Sequence, residues 1–170
     1  TLKGQTTDRY SQGTTLSDAA VFSVVKSAIS SGKLPTDANA IYLVLTSSDV
    51  STMSGFCTKY CGWHTYGTTS KGRIRYSFVG NANRCPSSCA AQSVGPNGNA
   101  GVDGMASVIV HEIEEAASDP DLNAWYDASG YENADKCAWT FGQAQYKTAN
   151  GAFANVQIGP RDFLIQRNLF

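Results

Sequence analysis

The sequence predicts an α+β fold in which two main helices pack on a mixed, twisted sheet and long loops are pinned by disulfides. Two segments, residues 18–31 and 103–118, have the apolar spacing of amphipathic helices. Between them, residues 41–46 form a continuous apolar run and residues 73–79 alternate polar and apolar, as buried and half-buried strands do. Four of the five cysteines form two C-x3-C pairs in polar segments. At 170 residues the chain suits a single domain, residues 1–170, with its own core.

Local signals set the predicted helix ends. Ser17 is a suitable N-cap for the first helix, Gly32 suits a left-handed C′ position, and Pro35 follows it. Asp103 is the predicted N-cap of the second helix, which Pro120 ends. The other predicted segments are a polar lead-in at 1–16, a loop with room for an edge strand at 47–70, irregular chain at 81–102, loop at 120–151, and two late strands at 153–158 and 162–167.

Composition favours a secreted protein. Charged residues make up 16% of the chain, below the roughly 25% usual for soluble domains. Zinc sites usually have tighter cysteine spacing, so the C-x3-C pairs favour disulfides and an oxidising compartment. The fifth cysteine, Cys137, is then a free thiol or the attachment point of a partner outside the chain. No initiator Met or signal peptide is present, which predicts a processed product that lacks an N-terminal segment.

The net charge of -1 conceals two unequal regions. Residues 103–135 contain nine acidic residues and no Lys or Arg, whereas the remainder has five acidic residues and thirteen basic ones. The overall charge gives no case for nucleic-acid binding, and no apolar run is long enough to span a membrane. Because crowded carboxylates repel one another unless solvated or paired with cations, the acidic block is where we expect a functional site.

The second predicted helix carries the motif His-Glu-x-x-Glu. His111 and Glu115 lie four residues apart on one face, where they can hold one metal ion together. Glu112 falls at the margin of the apolar face, an unfavourable place for a carboxylate without a purpose, while Glu114 points into solvent. The arrangement matches the zinc-peptidase motif His-Glu-x-x-His, with Glu115 in place of the second histidine and Glu112 as the catalytic proton acceptor.

Several residues are candidates to complete the metal site. Asp119, Glu132 and Asp135 follow the helix and are candidate third ligands. Zinc accepts mixed histidine and carboxylate ligands, whereas calcium would take an all-oxygen set made of these three residues; the sequence leaves both open. His64 is a candidate for a further ligand or for an acid that steadies a substrate oxyanion.

The order of the elements predicts a zincin-like (metzincin-like) domain. A helix, a strand, a disulfide-bearing edge region, a strand and then the His-Glu helix is the succession of a zincin upper subdomain. That fold normally begins with a strand before the first helix. Its absence here also predicts a missing N-terminal segment.

The sequence resembles the EXORDIUM, or phosphate-induced, family of secreted proteins best known from plant cell walls. The resemblance rests on YLVLT at 42–46, FC-x3-CG-x-H at 56–64, CP-x2-C at 85–89, GVDGM at 101–105, HEI-x-E at 111–115 and P-x2-NAWY at 120–126. It implies a protein of the cell wall or extracellular matrix whose family members carry an additional N-terminal segment. It transfers no catalytic activity.

Three functions remain open at the level of sequence. The first is a metal-dependent extracellular hydrolase, most simply a peptidase. The second is a non-catalytic matrix or assembly protein with a structural ion. The third is a wall protein that binds polysaccharide through aromatic platforms such as Trp63, Trp125 and Trp139. The expected partner is accordingly an extracellular protein or a cell-wall polysaccharide.

Overall fold

The computed structural model describes residues 1–169 and has a mixed α+β architecture. The helices are α1 (Asp18–Ser30), α2 (Pro86–Cys89) and α3 (Ala100–Ser118), with 3-10 turns at Ala82–Arg84 and Asp135–Cys137. The strands are β1 (Thr15–Leu16), β2 (Ile41–Leu45), β3 (Ser51–Thr52), β4 (Gly62–Thr69), β5 (Gly72–Val79), β6 (Tyr146–Lys147), β7 (Phe153–Ala154), β8 (Val156–Ile158) and β9 (Arg161–Phe163). Within residues 1–169, none of the helices combines the length and apolar character that a membrane crossing requires.

The main sheet has the order β2-β5-β4, with β2 parallel and β4 antiparallel to the central strand β5. The predicted mixed sheet is therefore confirmed, and the edge strand allowed within 47–70 is β4. A Cβ on Gly67 would meet Phe22 of α1, whereas a Cβ on Gly62 would meet Val108 of α3. Because side chains alternate along a strand, these opposite neighbours put α1 and α3 on opposite faces of the sheet.

The predicted start of α1 is confirmed, but the prediction that no strand precedes it is wrong, because the short β1 pairs in parallel with β3. The predicted start of α3 is also wrong. Ser17 accepts a hydrogen bond from the Ala20 amide at 3.1 Å. Helix α3 begins earlier than predicted, because Asn99 is its N-cap and accepts from the Val102 amide at 3.1 Å. Asp103 instead lies buried in the first turn and accepts from the backbone and side-chain nitrogens of Asn97.

The late strands differ from the prediction in their bounds. The run predicted at 153–158 divides into β7 and β8, and the strand predicted at 162–167 is the shorter β9, which pairs with β8. The chain after β9 crosses α3, where the Gln166 amide donates to Ser107 Oγ at 3.0 Å. It then runs beside the loop after α3, where the Leu169 amide donates to the Asn133 carbonyl.

Two disulfides, Cys57–Cys85 and Cys61–Cys89, tie the loop before β4 to the segment around α2. The disulfide prediction is confirmed, and each C-x3-C pair is joined to the other pair. Cys137 is the free cysteine of the chain.

Removing one disulfide is expected to lower stability substantially. Each bridge closes a loop with a sequence separation of 28, for which chain entropy predicts a loss of roughly 3–4 kcal/mol in the free energy of unfolding. Denaturant unfolding of the Cys57→Ser/Cys85→Ser variant measures this loss, and Cys137→Ser is the matched control with little effect. Equal stability of all three proteins would contradict the bracing role of the bridge.

Candidate metal centre

Helix α3 and the 3-10 turn at Asp135–Cys137 bring three ligand atoms together. His111 Nε2 lies 3.0 Å from Glu115 Oε1 and 3.4 Å from Asp135 Oδ1. The Asp135 amide also donates to Glu115 Oε1 at 3.2 Å, which fixes this turn against the helix. One imidazole nitrogen and two carboxylate oxygens thus lie within 4.8 Å of one another, a grouping that can hold a metal ion.

A second group of three also includes Glu115. His64 Nε2, from strand β4, lies 3.1 and 3.2 Å from the two carboxylate oxygens of Glu132 and 3.9 Å from Glu115 Oε2. These three residues again offer ligand atoms within 4.8 Å of one another. The sheet, the helix and the loop after the helix each contribute one side chain, so the group depends on the tertiary fold.

Glu112 opens onto a cavity of about 320 Å³ beside these groups. Its side chain is almost fully buried, and Oε2 has no hydrogen-bond partner among the described residues. His111 and Asp135 line the same cavity. The other lining residues come from the loop before β4, the start of β4, α2, α3, the chain after the second 3-10 turn and the C-terminal chain: Cys57, Thr58, Lys59, Tyr60, Cys61, Gly62, Ser88, Cys89, Val108, Ala138, Trp139 and Gln166.

Burial and mutual contact perturb the pKa values at this site. Burial alone would lower the pKa of His111, but hydrogen bonds to Asp135 and Glu115 outweigh it and raise the pKa to about 10. The hydrogen bond between His111 and Asp135 also lowers the pKa of Asp135. Burial raises the pKa of Glu112 well above its usual value, against the opposing charge of His111. Without a metal ion, a proton on His111 therefore balances part of the negative charge.

Two of the predicted site residues, Asp119 and His64, lie away from the cavity. Asp119 is buried at the end of α3, and its Oδ1 accepts from the amides of Asn123 and Ala124 at 2.6 and 2.9 Å. It is absent from both ligand groups among residues 1–169, so the oxygens of the calcium alternative do not meet in one group. His64 is buried and does not line the cavity, which separates it from the space a substrate would enter.

The cavity also contains residues that sequence reasoning missed. Tyr60 and Gln166 line it, and no motif in the sequence distinguishes them; Trp139, which also lines it, was considered only as a platform for sugars. The Gln166 side chain accepts from the Trp139 amide at 2.6 Å, which holds the C-terminal chain against this wall. Of the three tryptophans considered as sugar platforms, Trp63 stacks on Phe78 in the core, whereas Trp125 and Trp139 are exposed.

The absence of a side chain at Gly62 leaves room for the side chain of Glu112. A Cβ at this position would lie 2.7 Å from Glu112 Oε1 and 2.6 Å from Val108 Cγ1. We expect Gly62→Ala to cost about 1–3 kcal/mol in the free energy of unfolding, because β4 and α3 must separate locally. Thermal unfolding measures this cost against Gly4→Ala, whose nearest neighbour would be a side-chain carbon at 3.3 Å. Equal unfolding temperatures would contradict the close approach of the two elements.

The fold and the site together define a disulfide-braced α+β domain with a partly buried cluster of histidines and carboxylates. The family model described as "Phosphate-induced protein 1 conserved region" matches residues 1–159. The chain belongs to this family, the EXORDIUM or phosphate-induced family, as its motifs indicated. The two disulfides and this membership are compatible with an extracellular location.

Similar curated proteins come from plants. Protein EXORDIUM-like 3 of Arabidopsis thaliana is 36% identical over 172 residues, covering 88% of this chain and 51% of the relative. Protein EXORDIUM-like 5 of Arabidopsis thaliana is 39% identical, covering 74% and 39%, and Protein PHOSPHATE-INDUCED 1 of Nicotiana tabacum is 33% identical, covering 64% and 41%. The chain thus spans about half the length, or less, of these relatives. No solved structure matches it, so no structural neighbour supports the zincin-like fold.

Proposed function

We propose that this domain is a secreted, metal-dependent hydrolase of the extracellular matrix or cell wall, most simply a peptidase. Zinc is the proposed metal, held by His111, Glu115 and Asp135. One observation carries the proposal: three ligand atoms of these residues converge beside a cavity that Glu112 also lines. The proposed scaffold is zincin-like, since a helix carrying two of the ligands packs against a sheet whose edge strand, β4, is antiparallel to its neighbour.

The chemistry of the residues fits a divalent cation. An imidazole nitrogen with two carboxylate oxygens is a donor set that zinc accepts. The carboxylates of Glu112, Glu115, Glu132 and Asp135 have no Lys or Arg ion pair within residues 1–169, where Arg73 and Arg75 pair with Asp121 and Lys136 with Asp127. The unpartnered Oε2 of Glu112 is a further buried oxygen that a ligand in the cavity would satisfy.

Glu112 is the proposed general base. When bound, zinc would supply the acidification of a water molecule and the polarisation of a carbonyl group. A cation beside Glu112 favours its charged form and so opposes the effect of burial on its pKa. The ionised carboxylate would then accept a proton from water in the cavity and return it to the leaving amine. Tyr60 and Trp139 would form the walls against which a substrate packs.

A structural ion is the second candidate function. It is favoured by the group of His64, Glu115 and Glu132, which joins the sheet, α3 and the following loop but does not reach the cavity. In a matrix or assembly protein, an ion held there would link these three elements, and no general base would be required. Trp139, exposed at the cavity, also offers a stacking surface for a polysaccharide partner, which an oligosaccharide array tests.

Metal content and peptide cleavage test the proposal together. Protein purified without added metal is expected to contain zinc and to cleave members of a broad peptide library. His111→Ala is expected to lose both the zinc at its site and the activity. Zinc or calcium without cleavage would support the structural ion instead. Absence of any metal, with unchanged stability of His111→Ala, would overturn both candidates.

A further inference from the structure

His64 faces more carboxylate oxygens than a single hydrogen bond can satisfy. Its side chain is 3% exposed, yet Nε2 faces both oxygens of Glu132 and one oxygen of Glu115. A neutral imidazole nitrogen donates one proton at most, so it cannot satisfy three carboxylate oxygens. The other ring nitrogen, Nδ1, is buried and has no partner among the described residues. His64 therefore lies among acceptors that it cannot satisfy alone.

The charge of the whole cluster exceeds what one divalent cation balances. Glu115, Glu132 and Asp135 contact the two histidines, and a fourth carboxylate, Glu112, follows His111 directly in the chain. The ion-paired arginines and lysine of the described chain are engaged with Asp121 and Asp127. One divalent ion leaves two negative charges when all four are ionised. Like charges this close together repel one another, most strongly where Glu112 and Glu115 are buried away from solvent.

Glu115 connects the two groups of three ligand residues. Its Oε1 faces His111 at 3.0 Å, and its Oε2 faces His64 at 3.9 Å. Each oxygen of this buried carboxylate thus belongs to a different group of three, and the groups share no other residue. A carboxylate that directs one oxygen to each of two neighbouring cation sites is suited to bridge them.

We propose that His64, Glu115 and Glu132 hold a second divalent cation, so that the domain has a two-metal centre bridged by Glu115. This inference rests on the proposed function, because it places the second ion beside the zinc held by His111, Glu115 and Asp135. The ion at His64 lies away from the cavity wall and joins strand β4 to the loop containing Glu132. Its role is to neutralise the carboxylates of the cluster and to hold that loop against α3.

Counting zinc ions in the purified chain tests this proposal. Protein dialysed against buffered Zn²⁺ is expected to retain two zinc ions per chain, measured by elemental analysis. Glu132→Gln, which keeps the side-chain shape, is expected to retain one, and Glu115→Gln none. Glu114→Gln, on the same helix but outside both groups, is the matched control and is expected to retain two. Circular dichroism verifies that each variant is folded.

The outcomes separate this inference from the proposed function. Two ions in the unaltered chain, with one in Glu132→Gln, support the two-metal centre. One ion in the unaltered chain overturns it, and the hydrolase proposal still stands if Glu132→Gln retains that ion. No ion overturns both. Should Glu132→Gln fail to fold, anomalous diffraction at the zinc edge decides the question: a peak between His64 and Glu132, besides the one at His111, supports the second site, and its absence overturns it.

Discussion

Glu112→Gln is expected to reduce peptide cleavage by about 10³-fold while leaving the zinc content unchanged. Glutamine has nearly the same shape as glutamate but cannot accept the proton, and a positioned general base typically contributes 10²–10⁴-fold to the rate. Because Glu112 is almost fully buried and is not in either ligand group, its replacement removes the base without removing a ligand. The measurements are kcat/KM on the best peptide substrate and zinc per chain.

The control is Glu114→Gln on the same helix. It makes the same chemical change two residues away, outside the cavity and outside both ligand groups, and is expected to retain full activity. Stability adds a second readout: the pKa of Glu112 is raised by burial, so the neutral amide is expected to cost the metal-free protein little. Cleavage by Glu112→Gln at the original rate would eliminate Glu112 as the base.

Removing the metal is expected to destabilise the domain by about 4 kcal/mol at a free zinc concentration a thousand times Kd. For a domain of 170 residues this corresponds to a decrease in Tm on the order of 10 °C. The physical reason is that the metal binds only the folded chain, in which the ligands from α3 and the following turn come together. Thermal unfolding with and without a chelator measures the decrease.

The variant Glu115→Gln distinguishes metal binding from general effects of the chelator. Because Glu115 belongs to both ligand groups, the Tm of the Glu115→Gln variant is expected to be independent of zinc and of chelator. Glu114→Gln is expected to respond as the unaltered chain does. If the unaltered chain also unfolds at one temperature under both conditions, the metal contributes nothing to its stability.

Local signals in the sequence predicted much of the fold. The strands at 41–46 and 73–79 and helix α1 followed from apolar periodicity and from the Ser17 cap, each of which depends on residues close together in the chain. The start of α3 was missed because Asn99 and Asp103 are both good caps, and tertiary packing chose between them. Gly101 packs so closely on Asn83 that a Cβ there would lie 2.3 Å from its side chain.

The candidate site was predicted less completely. The spacing of His111, Glu112 and Glu115 marked the helix, because residues four apart share a helical face. Whether Asp119, Glu132 or Asp135 lies beside them depends on how the loop after α3 folds back, which no local pattern encodes. Asp119 is occupied by two backbone amides, and Asp135 returns through the 3-10 turn. The contacts of His64 with Glu132, 68 residues away, could not be predicted from local patterns either.

Anomalous diffraction at the zinc edge, on crystals of protein purified without added metal, tests the central claim most directly. The account predicts a peak at about 2.0–2.2 Å from His111 Nε2 and from carboxylate oxygens of Glu115 and Asp135. The contradictory result is a map without that peak, in which His111 still hydrogen-bonds to Glu115 and Asp135 after the crystals have been soaked in zinc.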